Sequence, residues 1–148
     1  MVNDTQRAQS LAKALNCSGG RFEVEWYGNI LVNQTLTVLG GTVLNVTGVG
    51  SDASMDGGGT TGLLIVINSS LHLSNIVLVN GNSTSGGAIA ALGSGVVLNQ
   101  TSFIGNTAKY NGGALFVAGG STLASGNETY FTNNRACLLY TSPSPRDS

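Results

Sequence analysis

The sequence predicts an all-β chain wound as a parallel β-helix solenoid of about four to five coils. The first observation is a duplicated motif. Gly86-Gly87-Ala88-Ile89 precedes Phe103-Ile104-Gly105-Asn106, and Gly112-Gly113-Ala114-Leu115 precedes Phe131-Thr132-Asn133-Asn134. The Gly-Gly-Ala units lie 26 residues apart and the Phe-x-x-Asn units 28 apart, enough for several short strands with turns and too little for a domain. The second is a series of short Val, Leu and Ile runs separated by Gly, Asn and Ser, which reads as strands buried on one face. The third is a strict alternation of inward and outward residues before the repeats, the period of a strand.

Residues 1–20 form a leader. Asn3 followed by Gln6 makes a variant capping box, and Ala8, Leu11, Ala12 and Leu15 mark one face of a short helix that Gly19 and Gly20 end. Such a helix would shield the strand edges of the first coil. The alternative is a leader that docks nowhere. Residues 1–9 are polar and no apolar stretch of secretory-signal length follows.

The solenoid is expected over residues 21–136. Phe22, Val24 and Trp26 alternate with Arg21, Glu23 and Glu25, and Leu36 and Val38 with Thr35 and Thr37. The runs at 43–46, 63–67, 76–79 and 95–98 supply further strands. Val77 and Asn80 stand 26 residues before Phe103 and Asn106 and suggest a degenerate coil before the two clear ones, 85–110 and 111–136. Stacking such coils about 4.8 Å apart gives the motif residues physical tasks. Gly86, Gly87, Gly112 and Gly113 take up positive φ or allow close backbone approach at a corner. Ala88 and Ala114 fit a narrow interior beside Ile89 and Leu115. Phe103 and Phe131 stack along the axis, and Asn80, Asn106 and Asn134 form an amide ladder that satisfies a buried corner.

The pairing of GGAI or GGAL with FIGN or FTNN resembles the repeat of the polymorphic outer membrane protein family, secreted autotransporters whose passenger segments carry many such units. Similar coils occur in right-handed β-helix proteins of the pectin-lyase-like superfamily. The resemblance is specific over residues 86–134, and weaker over 11–59, with Asn16-Cys17, Trp26-Tyr27-Gly28 and Met55-Asp56-Gly57-Gly58. It implies a right-handed parallel β-helix with a secreted or cell-surface role.

Residues 137–148, Cys-Leu-Leu-Tyr-Thr-Ser-Pro-Ser-Pro-Arg-Asp-Ser, resemble an in-frame translation of a transposase adapter used in short-read library construction. Both prolines of the chain, Pro143 and Pro145, fall here. The segment is therefore left out of fold reasoning, and a biological sequence continuing beyond Ala136 into further coils is expected. Without Cys137 only Cys17 remains, so no disulfide is inferred from parity. A genuine Pro/Ser-rich tail is the alternative.

Composition argues for a secreted rod. Charged residues make up 9% of the chain, against roughly 25% in ordinary domains, so Ser, Thr, Asn and Gly must form the surface. A net charge of −1 without a basic cluster leaves no electrostatic footprint for nucleic acid or anionic membrane. Residues 62–79 are interrupted by Asn68, Ser69, Ser70, His72, Ser74 and Asn75, which denies them the roughly 18 apolar residues of a membrane span. Eight of the fifteen asparagines begin Asn-x-Ser/Thr sequons: Asn3, Asn16, Asn33, Asn45, Asn68, Asn82, Asn99 and Asn127. Chance would give about three. Two readings stand side by side: glycans along the coil turns, or turns built from Asn, Ser and Thr for their own hydrogen bonds.

Chemistry is sparse. Asp52 and Asp56 flank a loop at 51–59, and two carboxylates fall short of the six to eight oxygens of about 2.4 Å reach that calcium takes; Asp56-Gly57 reads as a turn pair. Glu23 and Glu25 point the same way from one strand, as glycosidase acids do and as a solvated strand face does more often. His72 stands alone between Leu71 and Leu73 and faces out. Cys17 reads as a packed thiol and Trp26 as core. The expectation is a non-catalytic chain with no cofactor and no metal site. Its role is structural or adhesive, with glycans, extracellular matrix or other cell-surface proteins as partners. The alternative is the N-terminal part of a polysaccharide lyase or glycoside hydrolase whose catalytic coils lie further on.

Overall fold

The computed structural model describes residues 20–32, 34–126 and 128–136. The leader helix expected within 1–20, Cys17 and the 137–148 tail lie outside these residues, Gly20 excepted. Thirteen strands run in chain order among the described residues: β1 Arg21–Leu31, β2 Leu36–Leu39, β3 Val43–Asp56, β4 Leu64–Ile67, β5 Ser70–Val79, β6 Asn82–Ser85, β7 Ile89–Leu92, β8 Gly95–Ile104, β9 Thr107–Asn111, β10 Leu115–Ala118, β11 Thr122–Ser125, β12 Tyr130–Thr132 and β13 Arg135–Ala136. Every pairing among them is parallel. One sheet runs β1-β3-β5-β8-β11 with β12 also on β8, a second β10-β7-β4-β2, and a third β13-β9-β6. The chain thus winds as a parallel β-solenoid of about five turns.

The interior is a set of columns that follow from the alternation in each strand. Phe22, Leu44, Leu71, Val96 and Leu123 are in register, as are Ile30, Met55, Leu78, Phe103 and Phe131. Leu36, Leu64, Ile89 and Leu115 line the facing sheet. Trp26 is buried as expected, and its indole N–H donates to the Ser54 carbonyl at 2.8 Å. The Phe103 and Phe131 rings stack with centroids 4.8 Å apart and planes 3° apart, one coil spacing.

The two glycines of each Gly-Gly-Ala unit divide the work. Gly86 and Gly112 hold φ of 66° and 60°, where a Cβ is strained. Gly87 sits where a Cβ would collide with the Gly113 carbonyl oxygen, and one on Gly113 would lie 2.6 Å from the Arg135 nitrogen. Ala88 and Ala114 are buried in the interior.

The amide ladder forms, with one correction. Asn106 Nδ2 donates to Leu78 O at 3.0 Å and to Asn134 Oδ1 at 2.9 Å, while Asn134 Nδ2 donates to Phe103 O at 2.9 Å. Asn80 is not a member: Leu78, not Val77, pairs with Phe103, so the coil below is 25 residues away and Gly81 occupies the corner. The Gly81 N–H donates to Asn106 Oδ1 at 2.8 Å. Asn80 instead adopts φ 57° and donates from Nδ2 to Asp56 Oδ1 at 3.2 Å.

A second ladder, of hydroxyls, was not expected. Thr42 N donates to Ser69 Oγ, Ser69 N to Ser94 Oγ and Ser94 N to Ser121 Oγ, at 3.2, 3.2 and 2.8 Å. Each hydroxyl in turn donates to a carbonyl of its own turn: Thr42 to Leu39, Ser69 to Ile67, Ser94 to Leu92 and Ser121 to Ala118. No buried side-chain polar atom among the described residues lacks a partner, as a narrow interior requires.

The loop expected at 51–59 is also corrected. β3 continues through Asp56 with a register shift between Thr47 and Ser54, and only the residues after Asp56 turn. Asp56 Oδ1 accepts the Gly58 N–H at 2.8 Å, the turn role expected of it.

Candidate functional site

The long strands do not run straight. Each bends outward-in at a residue of left-handed φ, and these residues follow one another along the solenoid: Gly28 at 72°, Gly50 at 89°, Asn75 at 54°, Gln100 at 51° and Glu128 at 60°. Asn75 holds its bend by donating from Nδ2 to Gly48 O at 2.9 Å and Gly50 O at 3.1 Å, which engages both amide hydrogens. The bend leaves a shallow groove of about 250 Å³ on the outer face, lined by Ser51, Asn75, Gln100, Ser102, Glu128 and Tyr130 among others. Gln100 Nε2 donates to Glu128 Oε1 at 3.1 Å, fixing a carboxylate and an amide side by side. Tyr130 stands beside them with 59% of its surface exposed. An aromatic face next to an acceptor pair and two hydroxyls is chemistry suited to a neutral polyhydroxylated ligand.

The sequence-predicted residues divide between scaffold and surface. Gly86, Gly87, Ala88, Phe103, Asn106, Gly112, Gly113, Ala114, Phe131 and Asn134 all lie at corners or in the interior, and none lines this groove. Among the sequons, Asn68, Asn82 and Asn99 are exposed and Asn45 is half-buried on the outer side of β3. Asn82 Nδ2 donates to Gly59 O at 2.9 Å. Thr101, the hydroxyl residue of the Asn99 sequon, is buried and donates to Asn99 O at 3.0 Å. Asn3, Asn16, Asn33 and Asn127 lie outside the described residues.

The acids are engaged singly. Glu23 pairs with Arg21 at 3.1 Å on the exposed face. Glu25 Oε1 accepts the Tyr27 hydroxyl at 2.9 Å, and that hydrogen bond lifts the Tyr27 phenol above its ordinary pKa. His72 is exposed on the outer side of β5. No group of three or more His, Cys, Asp or Glu side chains is gathered among the described residues, and no helix there is long and apolar enough to cross a membrane.

The groove residues escaped sequence reasoning because Gln and Glu are not residue types that announce a left-handed bend. The signal present was the spacing of Asn75, Gln100 and Glu128 at 25 and 28 residues, the same irregular period as the Phe and Asn columns. No protein-family profile matches the chain, and comparison with curated proteins and with solved structures gives no significant match.

Proposed function

We propose that this chain is a non-catalytic part of a secreted or cell-surface β-helix protein, with a structural and adhesive role in which the outer-face groove binds glycans. The observation that carries the reading is the exposed Tyr130 set beside the Gln100–Glu128 pair in an open groove. The apolar side of a sugar ring packs on the phenol, while vicinal hydroxyls donate to the carboxylate and accept from the amide. The groove lies along a rod whose other outward positions on the same sheet include Asn45, Thr47, Ser74 and Asn99, a surface that sheds charge and keeps hydrogen-bonding capacity.

The GGA and FxxN units supply the corner glycines and the stacked Phe and Asn columns. This supports a finer reading, a repeat of the polymorphic outer membrane protein type in a pectin-lyase-like chain. Extracellular matrix or other cell-surface proteins are partners of the same chemistry, met through the glycans they carry. Asn45, Asn68, Asn82 and Asn99 are proposed to carry glycans of their own, and mass spectrometry of protein from its native source tests this; unoccupied sites throughout would refute it.

Titration with neutral and acidic oligosaccharides tests the groove. Saturable binding that Tyr130→Ala weakens at least tenfold, with Tyr110→Ala unchanged, is expected. No binding at millimolar oligosaccharide, or binding indifferent to Tyr130, would overturn the glycan reading. Shortening of the oligosaccharides on incubation would overturn the non-catalytic one.

A further inference from the structure

We infer that the end of the solenoid formed by β10, β11, β12 and β13 docks a second copy of this chain head-to-tail, against the edge of β1 and β2. Among the described residues, β10, β11 and β13 are terminal in their sheets, so each presents a row of unpaired backbone groups on one side, a template for another strand. The inward side chains at this end are uncovered. Leu123 is 44% exposed where Val96, one coil below in the same column, is 1%; Phe131 is 51% exposed where Phe103 is 0%. Leu115 and Val117 are likewise only partly buried above fully buried Ile89 and Ala91.

The opposite end shows the same signature. β1 and β2 are the last strands of their sheets, and Phe22 and Val24 are only partly buried where Leu44 and Val46 are fully so. Both ends belong to the same columns, which identifies the occupant. A second copy placed one coil further along sets Phe22 over Leu123, Ile30 over Phe131 and Leu36 over Leu115, each a repeat of contacts the molecule already makes between its own coils. Shape and strand register therefore match by construction. All six of these residues are apolar, so no buried charge opposes the contact.

Size sets the strength. The strand residues of the last coil give roughly 43 Å of edge at about 3.3 Å per residue, and an interior about 10 Å across makes each end face roughly 430 Å². Two such faces bury about 900 Å², near the lower limit for specific complexes, so association is concentration-dependent. Because the two surfaces differ, the contact is heterologous and does not close on itself; a growing series results, not a dimer.

Sedimentation velocity of the full chain between about 1 and 200 μM tests this, with hydrogen exchange at both extremes. Expected are a mean mass that rises past the dimer without a plateau, amide protection gained together in β1 and β11, and at least tenfold weaker association for Leu123→Lys. That residue is exposed in the single chain, so the variant keeps the monomer's circular dichroism and melting. A monomer at every concentration overturns the proposal, as does a mass that stops at the dimer. So does association that Leu123→Lys leaves intact and Leu92→Lys, on the outer side of β7, abolishes, which would place the contact on the lateral face of the second sheet. The glycan reading is untouched by any of these outcomes, since the groove lies on a different face.

Discussion

Replacing Asn106 by alanine tests the amide ladder directly. Asn106 is fully buried. Its side chain donates to Leu78 O and Asn134 Oδ1 and accepts the Gly81 N–H, while its own backbone N–H also donates to Asn134 Oδ1 at 2.9 Å. Truncation leaves the Gly81 N–H and the Leu78 carbonyl without these partners, whereas Asn134 Oδ1 keeps one donor. Each orphaned buried group costs about 1–3 kcal/mol, so a loss of about 2–6 kcal/mol is expected, a large part of the roughly 5–15 kcal/mol of an ordinary domain. Asn106→Asp retains the acceptor for Gly81 but removes both donors and buries a carboxylate facing two oxygens. Burial and those oxygens raise the acid's pKa above its unfolded value. The Asp variant is therefore least stable above the unfolded carboxylate pKa and regains stability as pH falls below it. Urea denaturation followed by far-ultraviolet circular dichroism measures the loss. Trp26 fluorescence, reporting three coils away, shows whether the stack melts as one unit or from its damaged end. A loss below about 1 kcal/mol for Asn106→Ala would refute the claim that this ladder holds the corner.

Three further outcomes follow from the same geometry. Gly87→Ala should lower the melting temperature far more than Gly59→Ala: a Cβ on Gly87 meets the Gly113 and Thr107 carbonyl oxygens, whereas Gly59 has open space and only its φ of 78° to resist, about 1–2 kcal/mol. Phe103→Ala should cost about 3–5 kcal/mol and Phe131→Ala under half of that, because Phe131 is half-exposed; equal losses by chemical denaturation would show that the columns do not differ in burial. Absorbance titration should place the Tyr27 phenol above its usual pKa, with Glu25→Gln bringing it down, since the carboxylate hydrogen bond is the largest cause of the shift. Whatever this contact adds is present below the unfolded phenol pKa and disappears as pH rises through the folded value; an unchanged titration in Glu25→Gln would remove the contact from the account.

The parts of the fold that could be read from residue order are those where one residue type alone can do the job. Glycine at 86, 87, 112 and 113 is demanded by positive φ or by backbone contact, so it recurs unmistakably. The hydroxyl ladder of Thr42, Ser69, Ser94 and Ser121 recurs at spacings of 27, 25 and 27, but Ser and Thr are common in this chain and serve turns equally well. Asn80 misled because the register depends on coil length: the four-residue excess of β3 and the shorter third coil move the corner by one residue, to Gly81. The outer groove was hidden for a different reason. Its bends at Gln100 and Glu128 are imposed by the strands they stack on and not by any preference of those residues.

The corner occupied by Asn106 also explains why the ladder stops below it. A Cβ at Gly81 would collide with the Gly87 carbonyl oxygen and lie 2.9 Å from Asn106 Oδ1, and one at Gly57 would lie 2.7 Å from Asn80 O. Those two corners have closed around bare backbone. Where a side chain is absent the neighbouring coils approach more closely, and where an amide is present they stand apart just enough to hold it, so the two solutions cannot alternate freely along one column. The change from glycine to asparagine coincides with the coils that carry Gly-Gly-Ala and stacked phenylalanine. The duplicated motif is thus one coupled solution to a wider corner, in which the glycine pair turns the chain, the amide satisfies the space the turn opens, and the ring fills the interior beside it.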